Sequence, residues 1–123
     1  SYVPTNNQHP MPDQSEGSLA VDIYQNEKEI VIIAPIAGVK VNGVDVSVTE
    51  EVLTIKGERN IGKEFSEEEC FTKECFWGPF SRSIILPETA DAEKIKAIFQ
   101  NGILEIRIPK VFREKTKIVK IKT

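Results

Sequence analysis

A chain of 123 residues has room for one compact domain with tails, and its 16 Ile and 11 Val against 4 Leu and 6 Ala favour a mostly β core, because β-branched side chains suit a pleated surface better than a helix. One histidine and two cysteines nearly exclude His-rich zinc sites, Ser-His-Asp triads and Cys-His dyads within one chain. The net charge of −3 supplies no global field for nucleic acid, and the apolar run Ile30 to Val39, ten residues broken by Pro35 and Gly38, is too short to span a bilayer.

Residues 1–17 hold Pro4, Pro10 and Pro12 among Asn, Gln and Ser, with no period of 2 or 3.6, and read as a flexible N-terminal arm. No basic segment followed by an apolar one is visible there, so a cytoplasmic location is expected. The domain is expected over 18–109. Leu19, Val21 and Ile23 alternate with Ala20, Asp22 and Tyr24 as a half-buried strand, and Asn26-Glu27-Lys28 turns the chain into an apolar strand from Glu29 to Pro35. Taken alone, Asn42-Gly43 between valines reads as a type I′ hairpin.

Val44, Val46 and Val48 alternate with Asp45, Ser47 and Thr49, which predicts a strand with one buried face. Glu50-Glu51 makes a tight turn, and Leu53 and Ile55 continue into Gly57-Glu58-Arg59. Asn60 to Glu69 is polar and acidic, and ten residues is long for a hairpin connection. Cys70 to Trp77 regains β character, Gly78-Pro79 turns, and Phe80 to Leu86 is a strand stopped by Pro87. Asp91 to Glu93 resembles a short helical turn. Strands Ile95–Phe99 and Ile103–Ile108 flank Asn101-Gly102, a dipeptide suited to the positive backbone angles of a two-residue hairpin. Residues 110–123 form a C-terminal extension with six Lys or Arg, one acidic residue and apolar beads near its end. Roughly eight short strands with regular turn signals predict an all-β, immunoglobulin-like β-sandwich.

Four segments in this order resemble the α-crystallin domain of the small heat-shock proteins. Val44–Val48 followed by Val52–Arg59 is similar to the family's paired strands ending in Gly-Glu-Arg. Gly78-Pro79-Phe80-Ser81-Arg82-Ser83-Ile84-Ile85-Leu86-Pro87 is similar to its G-x-F-x-R-x-x-x-L-P strand. Ala97, Asn101, Gly102 and Leu104 match its A-x-x-x-N-G-x-L hairpin, and Val119-Lys120-Ile121 resembles its I-x-I/V tail motif. The family usually has a Pro-Gly pair after its third strand, whereas Pro35 and Gly38 are separated here. The resemblance also favours a crossing between sheets, not a hairpin, at Asn42-Gly43.

The resemblance implies a set of intersubunit contacts. Val119 and Ile121, on one face of an extended tail, would anchor in a groove of another subunit formed by Val44, Val46, Val48 and Ile98. The competing reading is a final strand, Lys117 to Lys122, packed on its own sheet. Cys70-Phe71-Thr72-Lys73-Glu74-Cys75-Phe76-Trp77 would be a strand exchanged within a dimer, against an ordinary surface hairpin. Arg82 and Arg107 are candidates for interface ion pairs, with solvent-facing charge as the alternative. Five apart, Cys70 and Cys75 would face opposite sides of a strand, so they read as two ordinary buried or half-buried thiols, with a redox pair the less favoured alternative.

The implied function is an ATP-independent holdase chaperone that binds partly unfolded proteins. The alternative is an adaptor of the related CS-domain co-chaperone type that binds one chaperone partner. No phosphate-cradling G-x-x-x-x-G-K-[ST] motif occurs and no constellation suits an enzyme, so no cofactor is expected. The expected partners are the chain itself, as a strand-exchanged dimer and a tail-linked oligomer, and unfolded clients. No nucleic acid or stable membrane association is expected, and the basic extension reads as solubilising.

Overall fold

The computed structural model describes residues 16–111 and 117–123, so most of the expected arm lies outside the described residues. Strand pairing begins at Gly17. The strands are β1 Gly17–Ser18, β2 Asp22–Gln25, β3 Glu29–Pro35, β4 Val44–Thr49, β5 Val52–Arg59, β6 Gly78–Ile85, β7 Lys96–Gln100 and β8 Ile103–Pro109. They form two four-stranded sheets, ordered β1-β6-β5-β4 and β2-β3-β8-β7. The fold is the expected all-β sandwich.

Strand alternation builds the interior. Ile30, Ile32 and Ala34 of β3 and Leu104, Ile106 and Ile108 of β8 point inward from one sheet; Leu53, Ile55 and Phe80 answer from the other. Leu19, Ile36 and Leu86 close the ends of this core. Fully burying such a side chain stabilises by roughly 1.5–3 kcal/mol, so this apolar set is the main source of stability.

The turns follow their local chemistry. The Asn26 side-chain oxygen accepts from the Lys28 and Glu29 amides at 2.7 and 2.9 Å, which fixes the β2–β3 turn. Asn101 and Gly102 take φ of +54° and +75°, the conformation expected of them between β7 and β8. Asn42-Gly43 sits in a 3-10 turn, Val41–Gly43, that carries the chain from one sheet to the other, as the resemblance implied.

One element expectation is corrected, and one segment joins no sheet within the chain. Residues 19–24 are not one strand, because β1 pairs with β6 in one sheet and β2 pairs with β3 in the other. Leu19 lies at the changeover, buried, with its amide bonded to the Ser81 carbonyl at 3.1 Å. Cys70–Trp77 belongs to no strand within its own chain; a 3-10 turn, Glu67–Glu69, precedes it and the backbone bends at Phe71 and Cys75.

Candidate functional site

Only three residues separate β1 from β2, so those two strands lie on one flank of the sandwich and β4 and β7 share the other. All four are edge strands, and both flanks are therefore open.

On the β4/β7 flank, Val44, Val46 and Val48 project toward the core opposite Gly57, Ile55 and Leu53, yet remain half-buried because no strand lies beyond them. From β7 and the residue before it, Phe99 and Ile95 are the half-buried partners. Ile98 is not. It pairs with Glu105, between the inward-facing Leu104 and Ile106, and so points to the outer face with 52% of its surface exposed. The expectation that Ile98 lines this groove is corrected by one residue. The signal was available: a two-residue turn at Asn101-Gly102 forces Phe99 opposite Leu104, and the apolar Leu104 faces in.

The tail carries exposed apolar side chains of its own. Residues 117–123 join no sheet, and Val119 and Ile121 are 72% and 90% exposed. The alternative of a last strand packed on the chain's own sheet is not what the structure shows.

On the β1/β2 flank, β1 reaches only Phe80 and Ser81, leaving the rest of β6 without a neighbour on that side. All four residues of β2 are exposed, Ile23 and Tyr24 among them. Between the sheets here lies a mostly apolar cavity of about 340 Å³ lined by Ile23, Gln25, Ile30, Ile84, Ile85, Leu86 and Pro87. This opening was not foreseen, because residues 19–24 read as one continuous strand.

The segment before β6 is poorly covered. Phe71 is fully exposed, Phe65, Phe76 and Trp77 are exposed as well, and a cavity of about 300 Å³ is lined by Ile61, Phe65, Cys70, Lys73, Cys75 and Trp77. Cys70 and Cys75 are both free and both exposed, which corrects the expectation of buried or half-buried thiols. The reason is that no sheet takes up the segment within one chain.

The two arginines have partners inside their own chain. Arg82 projects from β6 on the same side as Phe80 and Ile84 and donates to the Leu19 carbonyl at 2.9 Å, pinning the changeover from β1 to β2. Arg107, on the outer face, donates to Glu105 at 2.6 Å and Glu29 at 2.7 Å. Glu105 first, then Glu29, hold its pKa above the ordinary arginine value, so it stays charged.

The remaining motif residues shape the fold. An added Cβ at Gly57 would sit 2.5 Å from the Phe80 ring and 2.8 Å from the Gly43 carbonyl oxygen. The Arg59 guanidinium lies 5.3 Å from the Phe80 ring centroid and donates to the Ala37 carbonyl at 2.7 Å, tying down the loop after β3. Among the described residues no three His, Cys, Asp or Glu side chains converge as a metal site requires, and no helix is long and apolar enough to cross a membrane.

The model of the Hsp20/alpha crystallin family matches residues 22–122, from β2 through the tail motif. The chain belongs to that family. Small heat shock protein C4 of Rickettsia felis is 38% identical over 100 residues, covering 81% of this chain and 61% of that protein. Heat shock protein 16 of Schizosaccharomyces pombe is 35% identical over 120 residues, covering 95% of this chain and 81% of that one. The chain thus spans less than two thirds of the Rickettsia relative. Among solved structures, a small heat-shock protein from Xylella fastidiosa, described as having a distinct high order structure, superposes with a TM-score of 0.70 at 30% identity, covering 85% of this chain and 96% of that one. Its α-crystallin β-sandwich and the membership of a stress-response family are therefore shared with bacterial, fungal and plant relatives.

Proposed function

We propose that this small heat-shock protein is an ATP-independent holdase that binds partly unfolded proteins and keeps them from aggregating. One observation carries the reading: an open apolar flank, walled by Val44, Val46, Val48 and Phe99, coexists with an exposed tail whose Val119 and Ile121 fit such a groove. Two residues apart on an extended segment, these side chains project the same way and occupy the groove of a neighbouring copy. Each link is weak and reversible, and copies joined by several links form an assembly. When subunits shift, the vacated groove takes apolar segments of a client, and client–client association is outcompeted.

The building unit of this assembly is a strand-exchanged dimer. Cys70–Trp77 of one copy adds to β2 of the other, covering an exposed edge and the fully exposed Phe71. The β2 edge supports this pairing because Ile23 and Tyr24 lie bare on it and the cavity beside it is mostly apolar.

The test is light scattering from a heat-denatured substrate with the chain at an equimolar subunit ratio and no nucleotide. Suppressed aggregation is the expected result. Undiminished scattering, from protein whose fold is intact by circular dichroism, overturns the holdase reading.

A further inference from the structure

We infer that Cys70 and Cys75 form a peroxide-closable dithiol that switches the exchange segment between a folded-back loop and an extended strand. The inference rests on the strand-exchange reading above.

Within one chain, both thiols line the same cavity of about 300 Å³, both are exposed, and the backbone bends at Phe71 and again at Cys75. The loop is held lightly. The Ser66 amide donates to the Glu69 carboxylate at 3.3 Å, Lys73 pairs with Glu67 at 3.3 Å, and the Cys70 thiol donates to the Thr72 carbonyl at 3.4 Å. The Lys73–Glu67 pair is largely exposed, and such pairs contribute little. The Phe76 ring also lies against Gly17 of β1, a contact that exchange would have to replace, while Phe71 is fully exposed.

Extension separates the sulfurs. A strand rises about 3.3 Å per residue, so positions 70 and 75 of an exchanged strand stand about 16 Å apart and on opposite faces. A disulfide requires Cα atoms roughly 4.4–6.8 Å apart. The bond and the exchanged strand therefore exclude each other. The folded-back loop, which bends at Phe71 and Cys75 and turns both thiols onto one cavity, is the state from which closure is proposed.

The chemistry needs a two-electron oxidant of the peroxide class. One cysteine thiolate attacks a peroxide oxygen; the O–O bond breaks, hydroxide leaves as water after taking a proton, and a sulfenic acid forms. The second thiolate attacks that sulfur; the S–S bond forms, the S–O bond breaks, and a second water departs. Two thiols and one hydrogen peroxide give one disulfide and two waters, the sulfurs losing the two electrons that peroxide gains. A dithiol reductant reverses the bond by exchange. Oxidation thus withdraws the exchange strand, uncovers the β2 edge and frees subunits. An oxidant that unfolds clients would in the same step release the surfaces that bind them.

The experiment uses the 123-residue chain carrying Val119→Ala and Ile121→Ala, so that tails do not obscure the dimer. Native and denaturing mass spectrometry are run on the reduced protein, after hydrogen peroxide, and after dithiothreitol. The expected result is a loss of about 2 Da per chain, a twofold fall in native mass from dimer to monomer, and recovery of both on reduction. Adding Cys70→Ser or Cys75→Ser keeps the dimer in peroxide. A disulfide that forms within the chain while the dimer persists overturns the switch. So does a covalent dimer on a non-reducing gel, or a gain of oxygen without loss of two hydrogens. A reduced protein that is already monomeric overturns the strand-exchange reading itself, an outcome read before any oxidant is added.

Discussion

Gly57 has no room for a side chain. A Cβ there meets the Phe80 ring at 2.5 Å, and the Gly43 carbonyl at 2.8 Å is backbone that cannot rotate away. Gly57→Ala is therefore expected to destabilise the fold by about 1–3 kcal/mol, the usual range for overpacking, and to lower the thermal midpoint by several degrees. Gly62, with no atom within 4 Å of an added Cβ, is the control: its alanine variant carries only the strain of φ near +75°. A Gly57→Ala midpoint equal to that of the unsubstituted chain would show that the close approach at Gly57 has no energetic weight. The Glu50-Glu51 turn holds strain of the opposite kind. Both glutamates sit in the left-handed region, at φ +50° and +71°, where ordinary residues lose about 1 kcal/mol each. Asn-Gly in their place relieves that strain without touching the Glu51 carbonyl, which accepts from the Leu86 amide at 2.8 Å as backbone. Glu50→Asn with Glu51→Gly is expected to raise stability by about 1 kcal/mol in urea unfolding, and a lower denaturation midpoint would refute it.

Parity decides what an element presents. On β7, Phe99 packs on the core and Ile98 looks outward, so the two side chains should respond differently to truncation. Phe99→Ala is expected to lower stability by about 2 kcal/mol, less than a fully buried ring, and Ile98→Ala by no more than about 0.5 kcal/mol. Chemical denaturation of both variants checks the register; the reverse order would mean the strand is shifted by one. The same rule explains what could be read from the chain alone. Strands β4, β5 and β8 were legible because alternation and their bounding turns agree, β3 because a continuous apolar run is ended by Pro35, and Asn101-Gly102 announced its hairpin through residue chemistry. The splitting of residues 19–24 was not legible, since Leu19, Val21 and Ile23 alternate as in a strand while the break depends on distant partners: Ser81 and Arg82 hold Leu19 in one sheet, and Ile32 and Ile33 hold Ile23 and Asp22 in the other. Cys70–Trp77 finds no pairing within its own chain. Its β character is real in composition, but no ladder within one chain can take it up. The inward face of Val44, Val46 and Val48 was legible from alternation, whereas the outward face of Ile98 follows only when the Asn-Gly register is carried back along β7.

At the scale of the whole molecule, the open β4/β7 flank and the exposed tail make association the central question. The extension between Lys110 and Lys122 carries six cations, while the chain as a whole is at −3, so two forces could join copies: charge between tail and domain, or the apolar pair Val119 and Ile121. Salt separates them. Charge attraction between exposed groups is screened within about 8 Å at physiological ionic strength and about 3 Å at 1 M, whereas apolar burial is not weakened that way. Seating Val119 and Ile121 is worth roughly 1.5–3 kcal/mol each before ordering losses, enough to hold an assembly only when several tails act together. Native mass of the full chain is therefore expected to be unchanged between low salt and 1 M salt, and to fall to that of a dimer in the Val119→Ala, Ile121→Ala variant at either salt. An assembly that dissolves in salt but survives the double substitution would move the link from the two apolar side chains to the lysines between and around them. An assembly indifferent to both changes would place the contact outside the tail altogether.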